Sequence, residues 1–174
     1  MIDSAWPGAH PELGPLIRGF DHFYRENYRP VVVLVYTLTG ARHAAEDIAQ
    51  EAFLRTHRAW EQVSGYDRPD AWVRVVAMNL ARSQLRRIGA EARALSRFLG
   101  MPVNAFPELE PPNERFWAAV RDLPRRQREV VALHYLEDRS VADVAEILGV
   151  AESTVKNSLA QGRKNLTQSL EVSL

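Results

Sequence analysis

The chain has 174 residues, of which 46% are hydrophobic and 25% charged, a composition typical of a globular protein that argues against global disorder. It contains no cysteine, which excludes disulfides and thiolate-ligated metals, and its 22 basic residues are balanced by 22 acidic ones. The amino terminus lacks the pattern of a signal peptide and the longest apolar run, residues 31–36, is far shorter than a membrane span, so we expect a cytoplasmic protein without membrane insertion.

The neutral total conceals a segregation of charge along the chain. Acidic residues gather around residues 108–114, whereas the stretch 72–97 is strongly basic. A basic stretch of this kind is compatible with a nucleic-acid partner even when the net charge is zero. In this stretch a single acid, Glu91, stands against the basic residues Arg74, Arg82, Arg86, Arg87, Arg93 and Arg97.

The amino-terminal segment contains many residues that interrupt helices. Residues 1–19 include three prolines and three glycines, so we predict a mobile arm there. From Phe20 the pattern becomes helical, and Pro30 is expected to kink or restart the helix before it ends near Gly40. The aromatic residues of this helix are expected in a core: Phe20, Phe23, Tyr24 and Tyr28.

The segment 44–60 carries two stripes at helical spacing. One is apolar and can face a core: Ile48, Ala49, Ala52, Phe53, Thr56 and Trp60. The other consists of Asp47, Gln50, Glu51 and Leu54. An apolar anchor ringed by acids is typical of a protein interface. The periodicity alone favours neither a solvated face nor a protein interface over the other.

A turn-rich loop at 64–70 precedes a third helix at 71–87. One face of that helix combines aromatic, amide and guanidinium groups, which suits unpaired nucleic acid because bases stack on rings and phosphates bind cations. The alternative is a packed tryptophan beside solvated arginines. The residues of this face are Trp72, Val75, Asn79, Arg82 and Arg86.

A proline-rich, acidic stretch follows, and its composition predicts an extended linker between domains. We place the linker at residues 98–113, between a helical domain at 20–97 and a second domain at 114–174. The second domain opens with helices at 116–123 and from Pro124 to about Leu136.

The stretch 140–166 predicts a helix-turn-helix. Ser140 and Asp143 have capping-box spacing, and Gly149 is placed to end the first helix in a left-handed conformation. The second helix leaves exposed a mixture of phosphate binders and side chains that read base edges, which favours DNA binding in the major groove. The alternative is an ordinary helical hairpin. The exposed set is Glu152, Ser153, Thr154, Lys156, Asn157, Gln161, Arg163 and Lys164.

Taken together, the segments resemble the extracytoplasmic-function (group IV) sigma factors of bacterial RNA polymerase, in the sigma-70 family. The amino-terminal segments FDHFYRENYRPVVVLVYTLTG, AAEDIAQEAFLRTHRAW and RPDAWVRVVAMNLARSQLRR are similar to the family's promoter-melting domain (sigma domain 2). The segment LPRRQREVVALHYLEDRSVADVAEILGVAESTVK is similar to its carboxy-terminal domain (sigma domain 4). The resemblance implies an all-α fold of two small helical domains joined by a flexible linker, the second a helix-turn-helix.

The resemblance also implies a role for each surface. Asp47, Gln50, Glu51 and Leu54 would dock on the clamp of the largest polymerase subunit, and the second domain would meet the flap region. The helix-turn-helix residues named above would bind the minus-thirty-five element. An anti-sigma protein is an expected partner, whereas no cofactor, metal or catalytic activity is expected. The minus-ten element would be recognised and opened by Tyr66, Asp67, Trp72, Asn79, Arg82, Arg86 and Arg87.

Three residues depart from the family pattern in the recognition helix. Ser158 replaces a common basic residue, and Ala151 replaces the usual capping hydroxyl, at a cost of roughly 1 kcal/mol. Gly162 is expected to cost about another 1 kcal/mol against alanine. The main rival function is a stand-alone helix-turn-helix regulator, which has no need for the acid-and-leucine stripe.

Overall fold

In the computed structural model the chain is described over residues 13–99 and 114–172, with side chains described for 19–88 and 115–171. All regular elements within these ranges are helical, and none is both long and apolar enough to cross a membrane. The helices are α1 (Leu13–Thr39), α2 (Arg42–Arg58), α3 (Trp60–Val63), α4 (Pro69–Leu99), α5 (Glu114–Asp122), α6 (Arg125–Val131), α7 (Val141–Leu148) and α8 (Glu152–Val172).

The amino-terminal half, α1 to α4, is built around an aromatic core. Phe23 packs against Phe53 and Trp60, with ring centroids 5.9 and 4.9 Å away. The arm predicted at residues 1–19 overlaps α1, which already begins at Leu13. Residues 1–12 lie outside the described part of the chain. The helix also continues through Pro30 instead of restarting there. Pro30 is exposed while Val31 is fully buried, so the helix is held by packing on the side away from the proline ring.

The carboxy-terminal half, α5 to α8, contains the predicted helix-turn-helix. The capping box at the start of α7 is formed: the Asp143 amide donates to Ser140 Oγ at 3.1 Å, and the Ser140 amide donates to Asp143 Oδ2 at 3.2 Å. Gly149 ends α7 with φ +62°, the left-handed conformation expected of it. Between α6 and α7 the chain makes a π-helical turn, Ala132–Leu136.

Gly162 corrects an expectation. It was predicted to be a mere cost to helix stability, but it is buried where α8 crosses α6. A Cβ atom at this position would lie 3.0 Å from Val131 Cγ2 and 3.6 Å from Gln127 Cβ. The absence of a side chain therefore permits the close approach of the two helices.

The two halves are not separate bodies. Leu34, Leu38 and Met78 of the amino-terminal half belong to the same buried cluster as Leu133, Val144 and Ile147 of the carboxy-terminal half. The linker expected at 98–113 begins later than predicted, since α4 runs to Leu99, and residues 100–113 lie outside the described part. The chain thus consists of two helical domains that share a buried hydrophobic cluster.

Candidate nucleic-acid and partner interfaces

The second stripe of α2 points to solvent although the two halves are packed together. Asp47 and Gln50 are exposed, Glu51 is half-buried, and Leu54 has 53% of its surface exposed. Glu51 accepts a hydrogen bond from Arg55 Nε at 2.7 Å within the same helix. The stripe is therefore a rigid surface with an apolar centre between carboxylates, which is the composition of a protein-binding patch.

The loop before α4 presents an exposed aromatic ring. Tyr66 has 41% of its surface exposed, and Asp67 beside it is also exposed. Trp72, one turn into α4, is half-buried and packs against the aromatic core of the amino-terminal half. Tyr66 is thus free to stack on a base, whereas Trp72 can offer only part of its ring.

The cations of α4 have different environments. Arg86 and Arg87 are exposed, and so is Asn79. Arg74, counted in the basic stretch of the sequence, is buried and adds nothing to a DNA-facing surface. Arg82 is bound bidentately across the two halves: its Nε and Nη2 donate to the two carboxylate oxygens of Glu129 at 2.7 and 3.0 Å.

The first turns of α8 have the geometry of a recognition helix. Val155 and Leu159 are buried in the cluster that the two halves share, and Leu166 is buried in a separate cluster of the carboxy-terminal half. All the residues predicted to contact the minus-thirty-five element are exposed: Glu152, Ser153, Thr154, Lys156, Asn157, Gln161, Arg163 and Lys164. Lys156 Nζ lies 3.5 Å from Glu152 Oε2, an exposed ion pair that a phosphate could replace at little cost.

Ion pairs join the two halves, and sequence inspection did not identify them. Arg68, in the loop before α4, donates from Nη1 to Asp143 Oδ1 at 2.5 Å. This bond, together with that from Ser140, lowers the pKa of the Asp143 carboxyl from 3.8 to about 2. Asp143 therefore serves two functions, capping α7 and anchoring it to the amino-terminal half.

A second set of ion pairs joins α4 to residues 137–139, and each side supplies one arginine and one acid. Arg74 of α4 donates to Glu137, and both side chains are almost wholly buried. Two residues after Glu137, Arg139 Nη1 lies 2.6 Å from Asp70 Oδ2, one turn before Arg74 on α4. Asp138 between them has φ +52°, a left-handed turn that aspartate tolerates better than most residues. Burial acts to raise the pKa of Asp70, but hydrogen bonds from Arg139 and Arg68 bring it below its usual value.

Beside the Arg82–Glu129 pair, a cavity of about 280 Å³ lies between the halves, floored by Leu38, Met78 and Leu85. Burial lowers the pKa of Arg128 in its wall. Among the described residues no group of histidine, aspartate or glutamate side chains is arranged to hold a metal. The partners in the ion pairs lie 47 to 75 positions apart, so no local spacing could have predicted them.

Two family models match the chain, and together they cover both halves. The model for sigma-70 region 2 matches residues 23–91, and the model for sigma-70 region 4 matches residues 113–166. The first contains the α2 stripe and the loop before α4, and the second contains the helix-turn-helix.

Curated relatives carry the same assignment. The chain is 30% identical over 155 residues to the extracytoplasmic-function RNA polymerase sigma factor SigW of Bacillus subtilis, covering 79% of this chain and 81% of that protein. It is 30% identical to SigM of Mycobacterium tuberculosis, covering 87% of this chain and 76% of that one. A Xanthomonas campestris protein named "Probable RNA polymerase sigma factor RfaY" is 31% identical over 152 residues (80% of this chain), but the alignment spans only 37% of its length.

Solved structures support the fold. The sigma factor RpoE of Bartonella quintana, in complex with the anti-sigma factor NepR, superposes with a TM-score of 0.76 over 90% of this chain and 99% of that one, at 21% identity. CnrH in complex with the cytosolic domain of CnrY gives a TM-score of 0.66 over 90% of each chain, at 18% identity.

Proposed function

Because the chain belongs to the extracytoplasmic-function sigma factors of the sigma-70 family, we propose that it binds core RNA polymerase in the cytoplasm and directs it to promoters. In this proposal the polymerase carries out the phosphoryl transfer, and this chain selects where transcription starts. The observation that carries it is the α2 stripe, which keeps Leu54 exposed among carboxylates although leucine is usually buried.

The stripe is proposed to dock on the clamp of the largest subunit. Leu54 supplies the apolar anchor, and Asp47 and Glu51 supply charge that selects a basic partner surface. A conventional regulator that binds duplex DNA alone has no use for such a patch. The carboxy-terminal half is proposed to meet the flap region, so that both halves are held on the enzyme.

The two halves are proposed to recognise different promoter elements. The helix-turn-helix binds the minus-thirty-five element, with the exposed first turns of α8 in the major groove. The loop before α4 and the exposed face of α4 bind the unpaired minus-ten strand. Extruding a base costs a few kcal/mol, which stacking on Tyr66 and contacts from Asn79 and Arg86 would offset.

The experiment that tests this proposal measures binding of the full chain to purified core polymerase. Asp47→Arg should weaken binding at least tenfold, because it places a cation opposite a partner surface that we propose to be basic. The helix itself should be unaffected, since arginine has a high helix propensity. The matched control is Glu26→Arg, an equal charge change at an exposed position of α1. Circular dichroism of both variants should match the wild type.

Runoff transcription with reconstituted polymerase on a promoter library then tests promoter selection. The proposal is supported if transcripts begin at discrete sites and if the use of these sites requires both halves of the chain. Tight binding to duplex DNA without any affinity for polymerase would contradict it and favour the stand-alone regulator. We also propose an anti-sigma protein as a partner, which purification of the chain from its native cells under low salt would recover as a stoichiometric complex.

A further inference from the structure

We propose that the cavity beside the Arg82–Glu129 pair binds a small amphipathic anion, namely a phosphate monoester of a short apolar alcohol. The phosphate lies among the guanidinium groups of Arg86, Arg125 and Arg128. The apolar chain lies against Leu85 and the floor of the cavity. This binding is separate from promoter recognition and goes beyond the proposed function.

The wall of the cavity is strongly basic. Arg82 and Arg86 line it from α4, and α6 adds Arg125 and Arg128. Among the described residues that line it, Glu129 is the only acid, and both of its carboxylate oxygens accept hydrogen bonds from Arg82, at 2.7 and 3.0 Å. Glu129 therefore neutralises Arg82, and within the described part of the chain no ion pair neutralises the other three cations.

Arg128 is the least solvated of these three cations. Arg86 and Arg125 are exposed, whereas Arg128 is half-buried. Its Nη1 donates to the carbonyl oxygen of Arg121 at 2.7 Å, but its Nε is buried and has no hydrogen-bond partner in the described structure. Burial also lowers the pKa of Arg128. A cation that is withdrawn from water without a paired acid is costly, and an anion in the cavity offsets that cost.

The charge of the cavity selects the head group of the ligand. A phosphate monoester carries a charge of about −1.5 to −2 at pH 7 and has three strong acceptor oxygens, so it can bind several guanidinium groups at once. Arginine matches phosphate geometry well, because its planar fork donates two parallel hydrogen bonds. A carboxylate brings only a single charge. Three cations around one cavity therefore favour phosphate.

The floor of the cavity selects an apolar group beside the phosphate. Leu38, Met78 and Leu85 form this floor, and a nucleobase placed there would lose the hydrogen bonds of its polar edge. The volume of about 280 Å³ lies just below the range of about 300–1,000 Å³ that is usual for pockets that bind drug-sized ligands. The ligand is therefore a short chain on a single phosphate, since a nucleotide or a phospholipid is too large.

Both halves of the chain contribute to this site. Leu85 and Arg86 belong to α4, whereas Arg125 and Arg128 belong to α6. No single segment of the sequence contains the site, which exists only where the two halves meet. A ligand that binds it contacts both halves of the folded chain, so it should raise the Tm as its concentration increases.

The first test is calorimetric titration of the full chain with methyl, propyl and pentyl phosphate. Affinity should rise by about fourfold for each methylene group that the cavity covers, because each one is removed from water. Inorganic phosphate lacks the chain and 1-pentanol lacks the charge, so each should bind at least tenfold more weakly than pentyl phosphate. Thermal unfolding with increasing pentyl phosphate should show the rise in Tm.

The second test uses variants of the lining residues. Arg86→Gln and Arg125→Gln should each weaken the binding of pentyl phosphate by about tenfold, since each loses a charge-assisted hydrogen bond. Both positions are exposed, so the fold should persist, which circular dichroism checks. Leu85→Asn should reduce the dependence on chain length while phosphate binding remains. The matched control is Arg58→Gln, an equal charge change at an exposed position of α2, which should leave the affinity unchanged.

The absence of any binding of pentyl phosphate to the wild type would overturn the site, and so would equal affinities for pentyl phosphate and inorganic phosphate. Unchanged affinity in either Arg86→Gln or Arg125→Gln would overturn its placement between the halves. An equal loss in Arg58→Gln would show that only the overall charge attracts the anion.

The cations of the cavity could instead serve DNA. If Arg125→Gln weakened binding to a single-stranded oligonucleotide while the wild type did not bind pentyl phosphate, these cations would belong to a DNA-binding surface and the proposed ligand would be wrong. Polymerase takes no part in these measurements. A failure of the proposed function would appear only as a lack of binding to the enzyme, with the titrations unaffected.

Discussion

Replacing Gly162 with alanine should destabilise the carboxy-terminal half, although the same change stabilises most helices. Gly162 lies in the middle of α8, where it is buried against α6. A methyl group there would meet Val131 Cγ2 at 3.0 Å, Gln127 Cβ at 3.6 Å and Leu123 Cδ1 at 3.9 Å. Only the contact with Val131 is shorter than ordinary van der Waals distance, so this contact decides the outcome.

Two effects of similar size compete. Alanine in a helix interior gains about 1 kcal/mol over glycine. Against this, Val131 is fully buried and a valine in a helix has one strongly preferred rotamer, so its methyl group cannot turn away. Overpacking of this kind typically costs about 1–3 kcal/mol. We therefore expect a net loss of about 1 kcal/mol in the free energy of unfolding, or about 2–4 °C in Tm.

The assay is urea unfolding at equilibrium, followed by circular dichroism. Ala160→Gly, at an exposed position of the same helix, is the matched control and should also lose about 1 kcal/mol, through propensity alone. Two opposite substitutions in one helix should thus both destabilise. If Gly162→Ala instead stabilised the protein by about 1 kcal/mol, the close helix crossing would be wrong and the glycine would be only a helix-weakening residue.

Three further predictions concern binding and pH. The double variant Lys156→Ala with Arg163→Ala should weaken binding to duplex DNA and reduce the steepness of log affinity against log salt by about 2, because about one counterion is released for each phosphate contact. An unaltered slope in a salt titration would mean that neither cation contacts the DNA backbone. Tyr66→Ala should weaken binding to unpaired DNA by about 1–3 kcal/mol without changing Tm, because the ring is exposed, and a loss of Tm instead would indicate a packing role. The carboxyl of Asp143 has its pKa lowered from 3.8 to about 2, so its contribution to stability is complete above pH 4 and is lost as the pH falls towards 2. Thermal unfolding across this range should show a steeper decline for the wild type than for Asp143→Asn, and parallel curves would exclude the bond to Arg68 as the cause.

Much of the candidate site follows from local patterns. The spacing of Asp47, Gln50 and Leu54 places them on one face of a helix, and the structure leaves that face exposed. The capping box at Ser140 and the left-handed turn at Gly149 depend on neighbouring residues only, so short-range chemistry was sufficient to predict the helix-turn-helix. The length of α1 was underestimated, because Gly14 and Pro15 are tolerated in its first turn, where a missing amide donor matters little.

What the sequence alone determined, then, is the set of helices, the helix-turn-helix and the exposed faces, all of which depend on periodicities within about twenty residues. Only the tertiary structure decided that Arg74 is buried, that Arg82 is bound by Glu129, and that Gly162 is a point of close packing. The physical reason is that an arginine has the same local pattern whether it faces a phosphate, water or a distant carboxylate. Its partner is set by how two helical halves pack across residues far apart in the chain, and that packing depends on the shape of the whole buried surface.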